Sequence, residues 1–327
     1  MSAVGEEAPF VVFVAGINRS GTTLLDAILG EPGPMVSAGE LHYLWRGLVE
    51  GWNCGCGEPL RDCTTWRAIR EEAIGDAGMS RWRELDAIQR AQVRSRPIRL
   101  LQLRRRLNAS PPRTESERAI ADYRDTLERV YRAIGSVMDA DVIIDSSKGA
   151  HDAAVLAGIP SVRGAAVHLV RDPRAVAHSW TKRIANPALP GGYLEQARPP
   201  VAAGRWLAWN AAIESVTKPA FDPHFLTLRY EDLCTDPAGS VAGVYELIGR
   251  SDVKPAAEAD GEVELTPGHA IAGDPRLAAR GRIRIEATSR WDTEMGAAAK
   301  AAVTAIALPM LGRYGYAVGA DGRRGPG

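Results

Sequence analysis

Short apolar runs along this chain alternate with longer segments in which apolar residues recur at helical spacing. The run Phe10–Val14 is continuous and apolar, which is typical of a buried strand over residues 10–15. The glycine-bounded loop Gly16–Gly21 follows, and an apolar-periodic segment then begins at Thr22. This pattern predicts a strand, a tight loop and a helix over residues 22–30, in that order.

The same alternation returns in the second half of the chain. The predicted strands are Val142–Asp145, Gly164–Val170 and Phe225–Arg229. Helical patterns cover residues 173–184, 201–217, 238–248 and 296–313, whereas residues 250–290 are punctuated by Pro and Gly and predicted to be irregular. Asp172 before Pro173 is a helix-start signal. Strands that alternate with helices predict an α/β fold, a parallel sheet with helices on both faces.

The middle of the chain has a different pattern. An extended piece, Met35–Ala38, precedes a helix-like run that begins near Glu40. Residues 64–138 are predominantly helical in pattern, with a break at Asn108–Arg113, where two prolines exclude a helix. Because predicted strands of one sheet lie on both sides, we interpret residues 41–139 as a helical insertion within a single domain, residues 1–327.

The loop Gly16–Gly21 has the spacing of a Walker A loop, with four residues between its two glycines. The free amides at a helix start and the helix dipole both favour an anion at such a loop. The lysine of a Walker A loop is replaced here by Thr22, which Thr23 follows, and Arg19 lies inside the loop. The sequence therefore predicts a phosphate-like ligand held in a different way from ATP or GTP.

Composition and charge narrow the function classes. The formal net charge is +0, which argues against a protein that coats nucleic acid. No apolar run approaches the roughly 20 residues that span a bilayer, and the first residues lack the features of a signal peptide, so we expect a cytoplasmic protein without a membrane partner. The preference for Arg over Lys, with abundant Ala and Gly, indicates high-GC coding and a bacterial source.

Three of the four cysteines lie close together, at Cys54, Cys56 and Cys63. A zinc site needs a fourth ligand, and His42 is the nearest candidate in the sequence. The spacing is not that of a zinc knuckle, and only three ligands are in view. We therefore favour a glycine-rich turn with reduced thiols over a metal site.

Polar side chains follow each predicted strand. Ligands of open parallel sheets bind at the carboxyl ends of the strands, so these residues outline a site. They are Arg19–Thr23, Ser146–Lys148, Arg171–Pro173 and Arg229–Asp232. An Arg or Lys at each of four strand ends predicts a polyanionic ligand.

The segment GINRSGTTLL, residues 16–25, together with HLVRDPRAVAHSW, residues 168–180, resembles the sulfotransferases that use PAPS, 3′-phosphoadenosine 5′-phosphosulfate. The later segments DSSK, LRYEDL and AGDPR with GRIRI resemble the bacterial branch of that family. The resemblance covers most of residues 10–315 and is weak across 64–138. It implies a P-loop-type fold and transfer of a sulfonate from PAPS to a hydroxyl of a small molecule, with PAP as product and no metal required.

The resemblance also implies which residues bind the donor. The loop residues Arg19, Ser20, Gly21, Thr22 and Thr23 would hold the 5′-phosphosulfate, with Arg19 neutralising charge on the leaving side. Arg171 and Ser179 would bind the 3′-phosphate, and Tyr230 would contact the adenine. The segment that would close over the 3′-phosphate contains Arg276, Arg280, Gly281 and Arg282. Arg171 has a structural alternative, an ion pair with Asp172 or Glu231.

An acceptor hydroxyl needs a general base near the sulfur, and two residues compete for this role. Glu40 resembles the catalytic glutamate of some family members, and His151 resembles the histidine of the cytosolic ones. We favour Glu40, with His42 as a third possibility on the same segment. The resemblance implies that Lys148 stabilises the transferring sulfonate. Aromatic residues of 41–139 and of the loop 185–204 are expected to wall a pocket for a phenol, a sugar or a natural product.

Two alternatives stay open at this stage. A P-loop kinase or NTPase would need a lysine at position 22 and an acidic Mg²⁺ ligand, for which Asp145 is available. A non-catalytic nucleotide-binding module would keep the fold without turnover. The sequence does not indicate an oligomeric state.

Overall fold

The computed structural model of the protein describes residues 8–94, 100–186, 191–258, 261–272, 281–287 and 289–318. Its central element is a five-stranded sheet in the order β2-β3-β1-β4-β5, and all four strand pairs are parallel. The strands are β1 Phe10–Ala15, β2 Met35–Gly39, β3 Val142–Lys148, β4 Gly164–Val170 and β5 Phe225–Arg229. The predicted parallel α/β sheet with flanking helices is confirmed.

The first seven helices precede β4 in the chain. They are α1 Thr22–Leu29, α2 Leu44–Glu50, α3 Thr64–Ile74, α4 Met79–Ile88, α5 Leu100–Leu107, α6 Glu115–Met138 and α7 Ala150–Ala157. Five of them, α2 to α6, lie between β2 and β3, in the segment that we interpret as an insertion. The Thr114 side chain caps α6 in a capping box with Glu117, which places the helix start directly after the predicted proline break.

The remaining α-helices of the described residues follow β4. They are α8 Pro173–Thr181, α9 Pro199–Ala212, α10 Lys218–Phe221, α11 Tyr230–Thr235, α12 Pro237–Leu247, α13 Arg290–Glu294 and α14 Ala297–Leu311. Among the described residues, no helix is both long and apolar enough to cross a bilayer.

Both faces of the sheet are buried, as expected for parallel strands. Val11 and Phe13 of β1 pack with the insertion helices and α7, because alternate side chains of a strand point to opposite faces. Val12 and Val14 pack with α1 and α12 on the other face. The loops at the carboxyl ends of β1, β3 and β4 therefore leave the same edge of a rigid layer.

Several predicted boundaries are wrong in informative ways. β3 continues through Lys148, so Ser146–Lys148 belong to the strand rather than to a loop after it. Tyr230 begins α11 immediately after β5. The segment predicted as irregular contains an antiparallel pair, β6 Glu262–Leu265 with β7 Gly281–Arg284, whose short strands give little periodic signal.

Candidate active site

The loop between β1 and α1 is shaped by backbone conformations that are uncommon outside glycine. Arg19 has a φ of 76° and Gly21 a φ of 96°, both in the left-handed region. A Cβ added at Gly21 would lie 2.4 Å from a ring carbon of Tyr230, so only glycine fits there. No side chain of the described residues caps α1. The Leu24 amide donates to the Gly21 carbonyl at 3.0 Å, and the amides of Thr22 and Thr23 in the same turn are left for a ligand.

A second strained position lies on the neighbouring strand. Lys148, the last residue of β3, has a φ of 67° although it is not a glycine. Its side chain is buried and forms an ion pair with Glu40, whose side chain is also largely buried. Strained backbone that the surrounding structure maintains is a common feature of functional sites. Of the four non-glycine residues with positive φ in the described part of the chain, Arg19, Lys148 and Ala272 line one cleft.

Arg171, directly after β4, lies across this cleft from the β3 end. Its guanidinium donates a hydrogen bond from Nη1 to the Arg19 carbonyl at 3.1 Å and stacks 4.3 Å from the ring centre of Tyr230. Asp172 and Glu231, the structural alternatives for an ion pair with Arg171, also bond to other residues. Asp172 binds Arg174 at 2.7 Å, and Glu231 accepts a hydrogen bond from the Tyr316 hydroxyl at 2.8 Å.

The cleft has a volume of about 250 Å³ and unites most of the predicted site residues. Those on the predicted donor side are Arg19, Gly21, Thr22, Thr23, Arg171, Ser179 and Tyr230. Glu40 and Lys148 line the cleft as well, and Tyr43, Trp52 and Trp180 add aromatic surface. Basic and acidic groups thus meet an apolar surface within one cavity, which suits an anionic ligand next to an aromatic one.

Four predicted site residues in the described part of the chain do not line the cleft. Ser20 is buried, and its hydroxyl donates to the Ile17 carbonyl at 2.7 Å, which stabilises the loop from inside. His151 lies at the start of α7, where burial and the charge of Arg94 lower its pKa to about 4. Gly281 is the first residue of β7, and the exposed Arg282 forms ion pairs with Glu258 and Glu262. Arg276 and Arg280 lie outside the described residues.

Asp145, the residue available to bind Mg²⁺ in a kinase, is committed to the core. Its carboxylate accepts hydrogen bonds from the Tyr131 hydroxyl at 2.6 Å and from the Ser147 amide at 2.8 Å. Burial raises its pKa above the usual range. Desolvation and these bonds make Asp145 a structural acceptor on the sheet rather than a ligand facing the cleft.

The sequence reasoning missed three tryptophans that hold the loops of the site. The indole N–H of Trp180 donates to the Asn18 carbonyl at 3.0 Å, and that of Trp206 donates to the Arg171 carbonyl at 2.9 Å. Trp209 donates to the Lys148 carbonyl at 3.4 Å. A buried indole N–H requires an acceptor, so tryptophans on α8 and α9 were the available signal, although the sequence does not reveal which carbonyl each one contacts.

Comparison with known proteins agrees with this geometry. The model of a family described as the sulfotransferase family matches residues 9–254, about three quarters of the chain. The chain belongs to the sulfotransferase family. A search of curated protein sequences returns no significant match.

Solved structures similar to this sulfotransferase include three bacterial proteins. The sulfotransferase domain from the curacin biosynthetic pathway is 16% identical, with 93% of this chain and 98% of that chain covered and a TM-score of 0.46. The sulfotransferase domain of the Synechococcus PCC 7002 olefin synthase is 16% identical, with 94% and 96% covered and a TM-score of 0.44. The sulfotransferase STF1 from Mycobacterium tuberculosis H37Rv is 17% identical, with 75% and 68% covered and a TM-score of 0.38.

Proposed function

We propose that this sulfotransferase moves a sulfonate group from PAPS to a hydroxyl of a small molecule, and releases PAP and a sulfate ester. The observation that supports this most is the lining of one cleft by Arg19, Arg171 and the Glu40–Lys148 ion pair. PAPS carries a 5′-phosphosulfate and a 3′-phosphate, so it needs two anion sites on one surface. The loop after β1 and the residue after β4 are suited to these two roles.

On the donor side, we assign the 5′-phosphate to the amides and hydroxyls of the loop residues Gly21, Thr22 and Thr23. The exposed first-turn amides of α1 and its dipole favour a doubly charged group there. Arg171 and Ser179 would hold the 3′-phosphate, because a guanidinium binds phosphate through two parallel hydrogen bonds. Tyr230, which packs on Gly21 and under Arg171, would contact the adenine.

In the transfer step, the acceptor oxygen forms a bond to sulfur while the bond from sulfur to the bridging phosphate oxygen breaks. The electron pair of the broken bond leaves with PAP, and Arg19 and Lys148 stabilise the charge that develops on the leaving oxygen. The acceptor proton passes to a carboxylate, for which we propose Glu40. Glu40 lines the cleft beside Lys148, whereas His151 is not among the described residues that line it.

The acceptor is expected to present an apolar ring or scaffold beside its hydroxyl. Tyr43, Trp52 and Trp180 offer flat apolar surface in the cleft that Glu40 also lines. Aromatic rings of this kind bind phenols, the apolar faces of sugars and polycyclic natural products. We therefore propose a small-molecule acceptor of this class.

A P-loop kinase is the second function that the loop spacing permits, and two observations count against it. Position 22 is a threonine rather than lysine, and Asp145 is bonded to Tyr131 and Ser147 in the core. A non-catalytic module is disfavoured by the buried Glu40–Lys148 pair, because a buried ion pair is costly to maintain without a role.

The reaction is tested by incubation of the purified protein with PAPS and a panel of phenols, sugars and polycyclic alcohols. We expect acceptor-dependent release of PAP and a product that gains the mass of one sulfonate. ATP with Mg²⁺ serves as the competing donor in parallel reactions. Transfer of phosphate from ATP would contradict the proposal. Tight binding of PAP, with no PAP released from PAPS in the presence of any acceptor of the panel, would also contradict it.

A further inference from the structure

The three clustered cysteines meet a histidine from the far end of the chain. His269 lies 206 residues after Cys63, yet its Nδ1 is 3.3 Å from the Cys63 Sγ and 3.7 Å from the Cys54 Sγ. The Sγ atoms of Cys56 and Cys63 are 3.8 Å apart. These four ligand atoms all lie within 4.8 Å of one another. The histidine beside the thiols is therefore His269 and not His42, the nearest candidate in the sequence. With four ligand atoms together, the reason for favouring a metal-free turn no longer holds.

The spacing of the four atoms matches a tetrahedral zinc site. Bonds of ~2.3 Å to sulfur and ~2.0 Å to nitrogen place the sulfurs of such a site about 3.8 Å apart, and sulfur and nitrogen about 3.5 Å apart. The distances of 3.3, 3.7 and 3.8 Å in the cluster agree with these edges. All four cysteines of the protein are free thiols, so no disulfide competes for the cluster.

The surroundings orient the histidine for binding through Nδ1. Its Nε2 is 3.1 Å from the Thr65 hydroxyl, which leaves Nδ1 facing the thiols. The Trp66 indole donates to the His269 carbonyl at 2.7 Å. Thr65 and Trp66 belong to the first turn of α3, directly after Cys63. Metal-binding histidines usually have their second ring nitrogen bonded in this way, which fixes the ring and the tautomer.

The backbone around the cluster is also fitted to close approach. The Gly55 amide donates to the Ala270 carbonyl at 3.0 Å, and Cys54 pairs with Ile271 in an antiparallel bridge. A Cβ at Gly55 would lie 3.0 Å from the carbonyl oxygens of Gly268 and Ala270. The cysteine loop and residues 268–271 are therefore held against each other by main-chain bonds on one side and by the four side chains on the other.

We propose that Cys54, Cys56, Cys63 and His269 bind a structural Zn²⁺ ion. Four protein ligands complete the tetrahedron and leave no position for substrate or water, which is typical of structural rather than catalytic zinc. The metal would fasten the cysteine loop to residues 268–271. Ile271 in turn accepts a hydrogen bond from the Glu40 amide at 2.7 Å and donates to the Ala38 carbonyl at 3.0 Å. The zinc site thus supports the backbone that carries Glu40, and this inference does not depend on the proposed sulfonate transfer.

Metal analysis of the full-length protein tests the site directly. After expression with added zinc and purification without chelators, we expect about one zinc per chain by mass spectrometry of the metal content. Cys56→Ser and His269→Gln should lose most of this zinc. Cys234→Ser is the matched control and should keep it, because Cys234 lies in α11 and packs in a separate hydrophobic cluster.

If a variant fails to fold, cobalt spectra and thiol reactivity of the wild-type protein still test the site. Wild-type protein loaded with Co²⁺ should show thiolate-to-cobalt charge transfer and the intense visible bands of tetrahedral cobalt. Three of its thiols should react with a thiol reagent only after a chelator is added, and the chelator should lower its melting temperature. A zinc content near zero, a cobalt spectrum without thiolate bands, or zinc retained in His269→Gln would each overturn the proposal.

Discussion

The two sides of the cleft are constructed differently. On the donor side, the loop after β1 is contiguous in sequence, and its form follows from local hydrogen bonds such as Ser20 to Ile17 and Leu25 to Gly21. On the other side, Glu40 is fixed by its ion pair with Lys148 and by Ile271 from the far end of the chain. Local hydrogen bonds therefore shape the loop of the predicted anion site, and Arg171 and Trp180 add contacts to its carbonyls. The position of the predicted base depends on contacts with residues distant in sequence.

Loss of Arg19 is the substitution with the largest expected effect. Arg19→Ala should lower kcat by roughly 10³-fold or more, because it removes charge that stabilises the leaving oxygen. Turnover with PAPS and the affinity for PAP are measured together. Arg67→Ala, an exposed arginine of α3, is the control and should be active. A variant Arg19→Ala with near wild-type kcat would show that the loop contributes binding alone.

Glu40→Gln is the corresponding change on the acceptor side. We expect kcat to fall by about 10²- to 10⁴-fold, since a general base is removed, with the affinity for PAP unchanged. His151→Gln should have a small effect, and Glu71→Gln, at an exposed site on α3, none. If Glu40→Gln and wild type have equal activity while His151→Gln is inactive, the base is His151, at the start of α7, and Glu40 has no role in proton transfer.

Arg171→Ala is expected to affect donor binding with little change in the acceptor KM. A hydrogen bond to a charged group contributes about 1.5–3 kcal/mol, so the KM for PAPS should rise roughly 10- to 150-fold. Initial rates at varied donor and varied acceptor concentrations separate the two constants. An increase confined to the acceptor KM would place Arg171 on the wrong side of the cleft.

Asp26 joins the two sides and gives a smaller effect that depends on pH. This residue of α1 accepts a hydrogen bond at 2.5 Å from the Ser37 hydroxyl of β2, and burial raises its pKa from 3.8 to about 8. The folded protein therefore binds a proton that the unfolded chain releases, and stability is lost as the pH rises from 4 towards 8.

The substitution Asp26→Asn removes this penalty. Its free energy of unfolding should match that of wild type near pH 4 and exceed it increasingly up to pH 8, by at most about 1.4 kcal/mol per pH unit. Urea unfolding at several pH values measures the difference. Asp76→Asn, at an exposed site, is the control and should show no such trend. A difference that is independent of pH would indicate that Asp26 is ionised in the folded protein.

The contrast between the sides also explains what the sequence could predict. The apolar runs of β1 and β4, and the glycines and arginines that follow them, are local signals, and they place Arg19, Thr22 and Arg171 correctly at one edge of the sheet. Glu40 and Lys148 were singled out separately. Their ion pair depends on the strained backbone of Lys148 at the end of β3. Hydrophobic periodicity does not predict backbone strain of this kind.

Long-range partners account for most of what was missed. His269 was not considered with the three cysteines, because no local pattern links ligands 206 residues apart. The indole contacts of Trp206 and Trp209 depend on how α9 packs beside β4 and β3, which a single sequence does not specify. The pairing of β6 with β7 was not predicted, because both strands are only four residues long and lie in a segment punctuated by Pro and Gly.

Thermal stabilisation by PAP is a direct measurement of the proposed donor site, in which two anion sites bind PAP without a metal. Melting temperatures are compared with PAP, ADP and GDP, each with and without Mg²⁺. A ligand at about 100 times its Kd should add roughly 2.7 kcal/mol to the stability of the folded state. We expect this shift with PAP in the absence of Mg²⁺, and little shift with ADP or GDP. A shift that requires Mg²⁺ and occurs with ADP or GDP but not with PAP would contradict this expectation and favour a kinase.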